Sequence, residues 1–129
     1  MLKATVDKFR DIEVATSAEK GAYALFALFL RNDAPGKWDL LVSAPWIETK
    51  PKEAFEYLSR ELQKKLSLEE YLTISKIVYL ESGNPLLEAI HTAIGSEHGS
   101  AHFVNCTFND IELDEAYIIT SQRIKSKVA

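Results

Sequence analysis

The chain has 129 residues, of which 47% are apolar and 26% are charged, with one cysteine and a formal charge of −4 at pH 7. These values exclude an array of domains, a disulfide scaffold and a mostly disordered chain. The 15 basic residues are outnumbered by 19 acidic residues and are interleaved with them, which disfavours nucleic-acid binding. We expect one domain over residues 1–122, followed by a poorly ordered basic tail over residues 123–129.

Cys106 has no partner for an intramolecular disulfide, which is typical of a protein in a reducing compartment. The first residues lack the pattern of a signal peptide. The longest apolar run, residues 22–30, is less than half as long as the stretch of about 20 residues that a transmembrane helix needs. The sequence therefore predicts a cytoplasmic protein without membrane contact.

The first predicted element is an amphipathic helix over residues 2–19, because apolar residues recur there at steps of three and four. Those residues are Leu2, Val6, Phe9, Ile12 and Ala15. The apolar run 22–30 predicts a strand that is apolar on both faces and therefore lies in the middle of a sheet, covered on both sides. Pro35 and Gly36 predict a turn, and residues 38–43 alternate as a second strand, so the two strands should form an antiparallel hairpin.

The middle of the chain is predicted to be helical. Thr49 can cap a helix that has Pro51 in its first turn, and the apolar stripe of that helix follows a helical period. The stripe consists of Phe55, Leu58, Leu62 and Leu66. Residues 67–70 have the spacing of a capping box, which predicts a short second helix. Residues 77–80 then form a short buried strand.

A further helix should begin at Asn84 as the N-cap with Pro85 in the first position, and Gly95 should end it. Residues 101–108 and 116–121 are predicted to be two strands joined by a turn. The resulting order is α-β-β-α-α-β-α-β-β. It predicts a single α+β domain, in which helices pack on a mixed or mainly antiparallel sheet of about five strands.

All three histidines, His91, His98 and His102, lie close together in the sequence, and imidazole is a good zinc ligand. Their spacing matches no standard metal motif. On a regular strand His102 and Cys106 share a face but lie about 13 Å apart, which is too far for one ion. A metal site would therefore need His91 and His98 together with Glu97 or one of the other two. We favour the alternative that His91 lies at a helix end and His98 in a solvated loop.

Three carboxylates, Asp110, Glu112 and Asp114, alternate with apolar residues near the C-terminus. On an extended segment they would project to one side, and carboxylate oxygens are the ligands that Mg²⁺ and Mn²⁺ prefer. We favour the alternative that they form the solvated side of an edge strand, where charges discourage pairing with another chain.

The two tryptophans are the last candidates. Trp38 lies in the second strand, whereas Trp46 and Ile47 follow Pro45 in a stretch that has the composition of a loop. Such a pair either fills the end of the core or anchors a partner, and we favour the core. As a partner site, the interacting residues would be Trp46, Ile47 and Trp38. Cys106 is expected to be a buried, inert thiol.

For each candidate catalytic or metal site, a purely structural explanation of the same residues is at least as convincing. Our leading hypothesis is a small cytoplasmic domain for protein interaction or regulation, without catalytic activity or a cofactor, that forms a homodimer and binds a protein partner. The alternative is a small metal-dependent enzyme or ligand-binding protein. Its site would be either the cluster of His91, His98 and Glu97 or the carboxylates Asp110, Glu112 and Asp114.

Overall fold

Five helices and five strands follow one another along residues 1–124, which is the part of the chain that the computed structural model describes. In chain order they are α1 (Lys3–Lys20), β1 (Leu25–Arg31), β2 (Trp38–Ser43), α2 (Pro45–Thr49), α3 (Pro51–Lys65), α4 (Leu68–Leu72), β3 (Ile74–Tyr79), α5 (Pro85–Ala93), β4 (Ala101–Phe108) and β5 (Ile111–Ser121). The α+β class is confirmed, with one more short helix than expected. Of the basic tail, Lys125 and Lys127 lie outside the described residues.

The five strands form one mixed sheet in the order β3-β2-β1-β5-β4. Only β2 and β3 are parallel; the other neighbours are antiparallel. The central position of β1 was predicted from its two apolar faces, and its residues 25–29 are buried. The two predicted hairpins, β1–β2 and β4–β5, are also present, although β5 begins five residues earlier than expected.

Helices cover the sheet on both faces. On one face α1 and α3 enclose a core that includes Phe9, Phe26 and Leu58, and on the other α5 covers a second core that includes Ala27 and Ile90. Among the described residues, no helix is both long enough and apolar enough to cross a membrane.

The local signals for the shorter helices are confirmed. At the start of α4, the Ser67 hydroxyl accepts from the Glu70 amide while the Glu70 carboxylate accepts from the Ser67 amide, which is the predicted capping box. Asn84 caps α5 by accepting from the Leu86 amide, with Pro85 in the first position. These caps begin the helices on either side of β3 at the predicted residues.

The buried face of α1 differs from the expected one. Leu2 is 76% exposed and Ala15 is also exposed, whereas Glu13 and Thr16 are buried. Val6, Phe9 and Ile12 are buried as expected, but the buried face also includes the Glu13 carboxylate and the Thr16 hydroxyl in place of the two ends of the predicted stripe. Both polar groups find partners there: Thr16 bonds the Tyr23 hydroxyl (2.7 Å), and Glu13 bonds His98.

Two local predictions between residues 44 and 51 are wrong. Trp46 and Ile47 lie in the short helix α2 and not in a loop, because Pro45 occupies the first helical position, which suits its fixed φ. Thr49 does not cap α3; its hydroxyl donates to the Pro45 carbonyl one turn earlier (3.0 Å). Lys50 takes the N-cap position of α3 without a side-chain hydrogen bond.

The expectation that His102 and Cys106 share a face of β4 is also wrong. Asn105 between them has a φ of 50°, which interrupts the alternation of side chains along the strand. His102 stacks on Tyr117, which packs against the α1–α3 core, whereas Cys106 packs against the α5 core. The two residues therefore lie on opposite faces of the sheet.

Candidate functional site

A cleft of about 800 Å³ opens where the parallel strands β2 and β3 end. We call it the end cleft and define it by Ser43, Ala44, Glu48, Tyr79, His91 and Arg123, which are among its lining residues. Parallel strands bring their carboxyl ends to one edge of a sheet, and the chain departs from that edge in two directions here, into α2 and towards α5. The end cleft lies at this point and is lined by residues of β2, α2, β3 and α5.

His91 lies in the last turn of α5 and is tied to the sheet. Its Nε2–H donates to the Ala24 carbonyl oxygen (2.9 Å), because a carbonyl can only accept. In the neutral ring, Nδ1 is then a hydrogen-bond acceptor. This nitrogen is buried and has no hydrogen-bond partner within residues 1–124. An orphaned buried ring nitrogen is uncommon, and here it belongs to a residue that lines a cleft.

Arg123 and Glu88 form an ion pair at the rim of the end cleft. Arg123 Nη1 donates to Glu88 Oε2 (2.5 Å), and Nη2 donates to the Thr92 hydroxyl (3.3 Å). The hydrogen bond from Arg123 lowers the pKa of the Glu88 carboxyl. Two N–H groups of the guanidinium are therefore hydrogen-bonded to α5, and the ion pair lies at the exposed rim, with side chains 57% and 49% exposed.

Glu48 and Tyr79 form the opposite wall. Burial, together with the negative charge of the Glu48 carboxylate, raises the pKa of Tyr79 to about 12. Glu48 accepts a long hydrogen bond from the Ser82 amide (3.4 Å) and lies within hydrogen-bonding reach of the Tyr79 hydroxyl, and it makes no ion pair with another residue of the described range. This wall of the cleft is therefore negative.

Elsewhere, His98 lies in the loop before β4 and is pinned to α1. Its Nδ1–H donates to Glu13 Oε1 (2.5 Å), and its backbone amide donates to the Thr120 hydroxyl (3.1 Å). The Glu13 side chain is 1% exposed, and its Oε2 has no partner in the described part of the chain. The backbone of His98 has a φ of 55°, so the loop holds a left-handed conformation to make this contact.

His102 makes a similar pair at the surface. Its Nε2 bonds Glu115 Oε2 (2.8 Å), and its ring stacks on Tyr117 with 4.2 Å between the ring centroids. The Glu115 side chain is 28% exposed, in contrast to the enclosed Glu13. Each of the three histidines thus has its own partner, and the structure does not bring them to one point.

No group of three or more histidine, cysteine or acidic side chains within residues 1–124 is arranged to hold a metal ion. Glu97 is exposed in the loop beside His98. The segment with the three carboxylates is spread over a turn and β5, which lies between β1 and β4 and is not the edge strand expected for it. Asp110 lies in the turn with a φ of 66°, Glu112 accepts from the Asn32 amide (3.0 Å), and Asp114 is exposed on β5. The metal sites considered from the sequence gain no support from this geometry.

The predicted interaction residues mostly contact their own domain. Trp38 is 5% exposed and Ile47 is fully buried, so neither offers a surface to a partner. Trp46 is half-buried: its indole N–H donates to the Gly21 carbonyl (2.9 Å), and its ring packs edgewise on Tyr23. Of the three predicted residues, only Trp46 exposes part of its side chain to a partner. Binding of a partner through these residues stays a prediction.

Cys106 is only partly covered rather than buried as expected. Burial raises the pKa of its thiol, so the thiolate, which is the nucleophilic form, is disfavoured. No histidine of the described residues is hydrogen-bonded to it, since each has another partner. The expectation of an unreactive thiol is thus consistent with its surroundings.

Comparisons with protein-family models, with curated proteins and with solved structures found no match to this chain. The functional argument therefore depends on the geometry of its own residues. Of the end cleft, only His91 was a candidate from the sequence. Glu48, Tyr79 and Arg123 carried no motif, and their positions in a predicted loop, a predicted strand and the predicted tail gave no signal of a shared site.

Proposed function

We propose that the protein is a small-ligand-binding domain whose site is the end cleft. The observation that supports this most is the His91 imidazole, a side chain of the cleft wall whose buried Nδ1 has no partner within residues 1–124. A ligand group that reaches this nitrogen would complete its hydrogen bonding. This proposal keeps the ligand-binding alternative from the sequence but replaces the metal cluster with a cleft.

The size and lining of the end cleft support the same proposal. Ligand pockets have volumes of about 300–1,000 Å³ and combine an apolar lining with a few polar groups. The end cleft, at about 800 Å³, has Ala44, Pro45 and Leu87 as apolar lining and His91 and Tyr79 as polar groups. It also lies at the carboxyl ends of the parallel pair β2–β3, and open parallel sheets bind ligands at the carboxyl ends of their strands.

The test uses 4-phenylbutanol, a neutral probe whose body suits an apolar lining, and full-length protein labelled with ¹⁵N. We expect the amide signals of Ser43, Tyr79 and His91 to shift on titration. Ser82→Trp places a bulky ring at an exposed position of the cleft and should abolish the shifts. Ser75→Trp, at an exposed position near the other end of β3, should leave them unchanged. Saturable shifts elsewhere only, or shifts that survive Ser82→Trp, would contradict the proposal.

A protein-interaction role, the leading hypothesis from the sequence, is supported by a different observation. Strand β3 is an edge of the sheet, and α4 beside it carries Leu68 and Leu72, which are 73% and 59% exposed. A free edge next to exposed apolar side chains favours pairing with another strand. The other edge, β4, is interrupted by the left-handed Asn105 and is less suited to pairing.

As a second candidate function, we propose that β3 pairs with β3 of a second copy of the chain to form a homodimer. Light scattering between 5 and 500 µM should then show a mass that rises from one to two chains. Leu72→Lys should shift this transition to higher concentration, whereas Val104→Lys, at an exposed apolar position of the other edge strand, should not. A constant single-chain mass over the whole range would refute the homodimer.

A further inference from the structure

The charged groups of the end cleft are unequally matched. Arg123 is engaged by Glu88 and by the Thr92 hydroxyl, so its positive charge is already compensated. Glu48 on the opposite wall makes no such pair with the described residues. Among the described residues, a ligand that enters the cleft therefore meets one compensated ion pair and one carboxylate without a counter-charge.

The hydrogen-bonding groups show the same imbalance. The His91 Nε2–H is used by the Ala24 carbonyl, and two of the five N–H donors of Arg123, whose side chain is 57% exposed at the rim, are used by Glu88 and Thr92. Away from Arg123, the cleft offers an acceptor at His91 Nδ1 and a carboxylate at Glu48, whose only hydrogen bond to the described backbone is a long one of 3.4 Å from Ser82. A ligand complementary to these groups has to donate hydrogen bonds. An ammonium group offers three donors and a guanidinium five, and neither accepts.

Tyr79 adds an aromatic group to the same wall. Its hydroxyl stays protonated at neutral pH, because burial and the adjacent Glu48 carboxylate raise its pKa to about 12. The negative potential that disfavours a phenolate at this point favours a cation. The face of a tyrosine ring attracts cations through its quadrupole, so the ring and the carboxylate act in the same direction.

We propose that the end cleft binds an organic cation, a ligand with a primary ammonium or guanidinium group on an apolar body, and that Glu48 and Tyr79 hold the charged group. This inference rests on the proposed function, since it names the class of ligand for the same site. The apolar body lies against Ala44, Pro45 and Leu87, which line the cleft between the two polar walls. Arg123 and Glu88 remain paired and close the rim.

The test compares three probes that share one body and differ only in the charge of the head group: 4-phenylbutylamine, 4-phenylbutanol and 4-phenylbutyrate. Dissociation constants are measured from the amide shifts of the end cleft in the full chain at pH 7. Because charge-assisted hydrogen bonds are about twice as strong as neutral ones, we expect the amine to bind about tenfold more tightly than the alcohol. The carboxylate should bind more weakly than either. The advantage of the amine should shrink between 20 and 500 mM NaCl.

Glu48→Gln should remove the advantage of the amine over the alcohol while leaving the affinity for the alcohol unchanged. Glu53→Gln, at an exposed acid of α3 outside the end cleft, is the matched control and should preserve that advantage. Equal or weaker binding of the amine, or an amine advantage that survives Glu48→Gln, overturns this inference but leaves ligand binding itself intact. Failure of all three probes to shift the end cleft overturns the proposed function and this inference with it.

Discussion

Removal of the His98 side chain should destabilise the protein more than its exposed position suggests. His98 is the one hydrogen-bond partner that the described residues supply to the Glu13 carboxylate, whose side chain is 1% exposed. In His98→Ala, both carboxylate oxygens would be buried without a partner. Breaking a fully buried ion pair costs about 3–5 kcal/mol. Because the His98 side chain is 42% exposed and water can enter the vacated space, we expect a loss of about 2 kcal/mol.

A double-mutant cycle isolates this contribution. Glu13→Leu removes the buried charge and keeps a side chain of similar length, and such replacements are often neutral or stabilising. In that background His98→Ala becomes a substitution at a partly exposed loop residue and should cost no more than about 0.5 kcal/mol. The expected coupling energy between the two positions is therefore about 1.5 kcal/mol. Urea unfolding, followed by tryptophan fluorescence and circular dichroism, measures all four free energies of unfolding.

The pair of His102 and Glu115 is the matched control. The two histidine side chains have the same exposure, 42%, whereas the carboxylates differ, at 1% exposed for Glu13 and 28% for Glu115. His102 also stacks on Tyr117, a contact whose loss adds to the cost of the single substitution but cancels in the coupling energy. The cycle of His102→Ala with Glu115→Leu should give a coupling energy below about 1 kcal/mol, which is typical of surface pairs. If the coupling at Glu13 is no larger than that at Glu115, the reasoning about the enclosed carboxylate is wrong.

Three further predictions concern other parts of the molecule. Hydrogen bonds from Lys8, the Ser67 amide and Thr5 lower the pKa of Glu70 from 4.5 to about 2, so its contribution to stability is present above pH 4.5 and is lost as the pH falls towards 2. The difference in unfolding midpoint between wild type and Glu70→Gln should therefore disappear over that range; a constant difference would contradict the assignment. Gly21 has a φ of 130°, and an added Cβ would lie 3.3 Å from the Trp46 ring, so Gly21→Ala should lower the free energy of unfolding by about 1–3 kcal/mol in the same urea assay. Burial raises the pKa of Cys106, so its reaction with Ellman's reagent at pH 8 should be slower than that of glutathione and should accelerate in 6 M guanidinium; equal rates in the folded protein would disprove this.

The parts of the fold that were predictable are those determined by local chemistry or by strong patterning. The run of residues 25–29 has no polar side chain on either face, and a strand of that kind is stable only in the middle of a covered sheet. The caps at Ser67 and Asn84 were recognisable because their side chains bond amides only two or three residues away. In each case the interaction that fixes the structure lies within a few residues of the signal.

The candidate site was not predictable for the opposite reason. Whether His91, His98 and His102 meet depends on partners 67, 85 and 13 residues away, and no sequence spacing encodes those contacts. Asn105 has a left-handed backbone conformation, which places His102 and Cys106 on opposite faces of the sheet. Asparagine tolerates this conformation, but the presence of an asparagine does not predict it. One signal was available: Glu13 and Thr16 follow Phe9 at helical steps, which places polar groups on the buried face of α1.

The position of β5 between β1 and β4 has a consequence for how the chain reaches this structure. Leu25 is paired with Ser121, so the central strand receives its second neighbour only after residues up to 121 have been synthesised. Until then, one edge of an almost entirely apolar strand has no β5 to cover it, and such edges associate readily with other chains. The slowest step of folding should accordingly be the docking of the β4–β5 hairpin. A long loop has to close, with a loss of chain entropy, before the stabilising contacts between β1 and β5 can form. Fragments that end before residue 111 should aggregate, and a chaperone that shields β1 should be most useful until residues 111–121 have been synthesised.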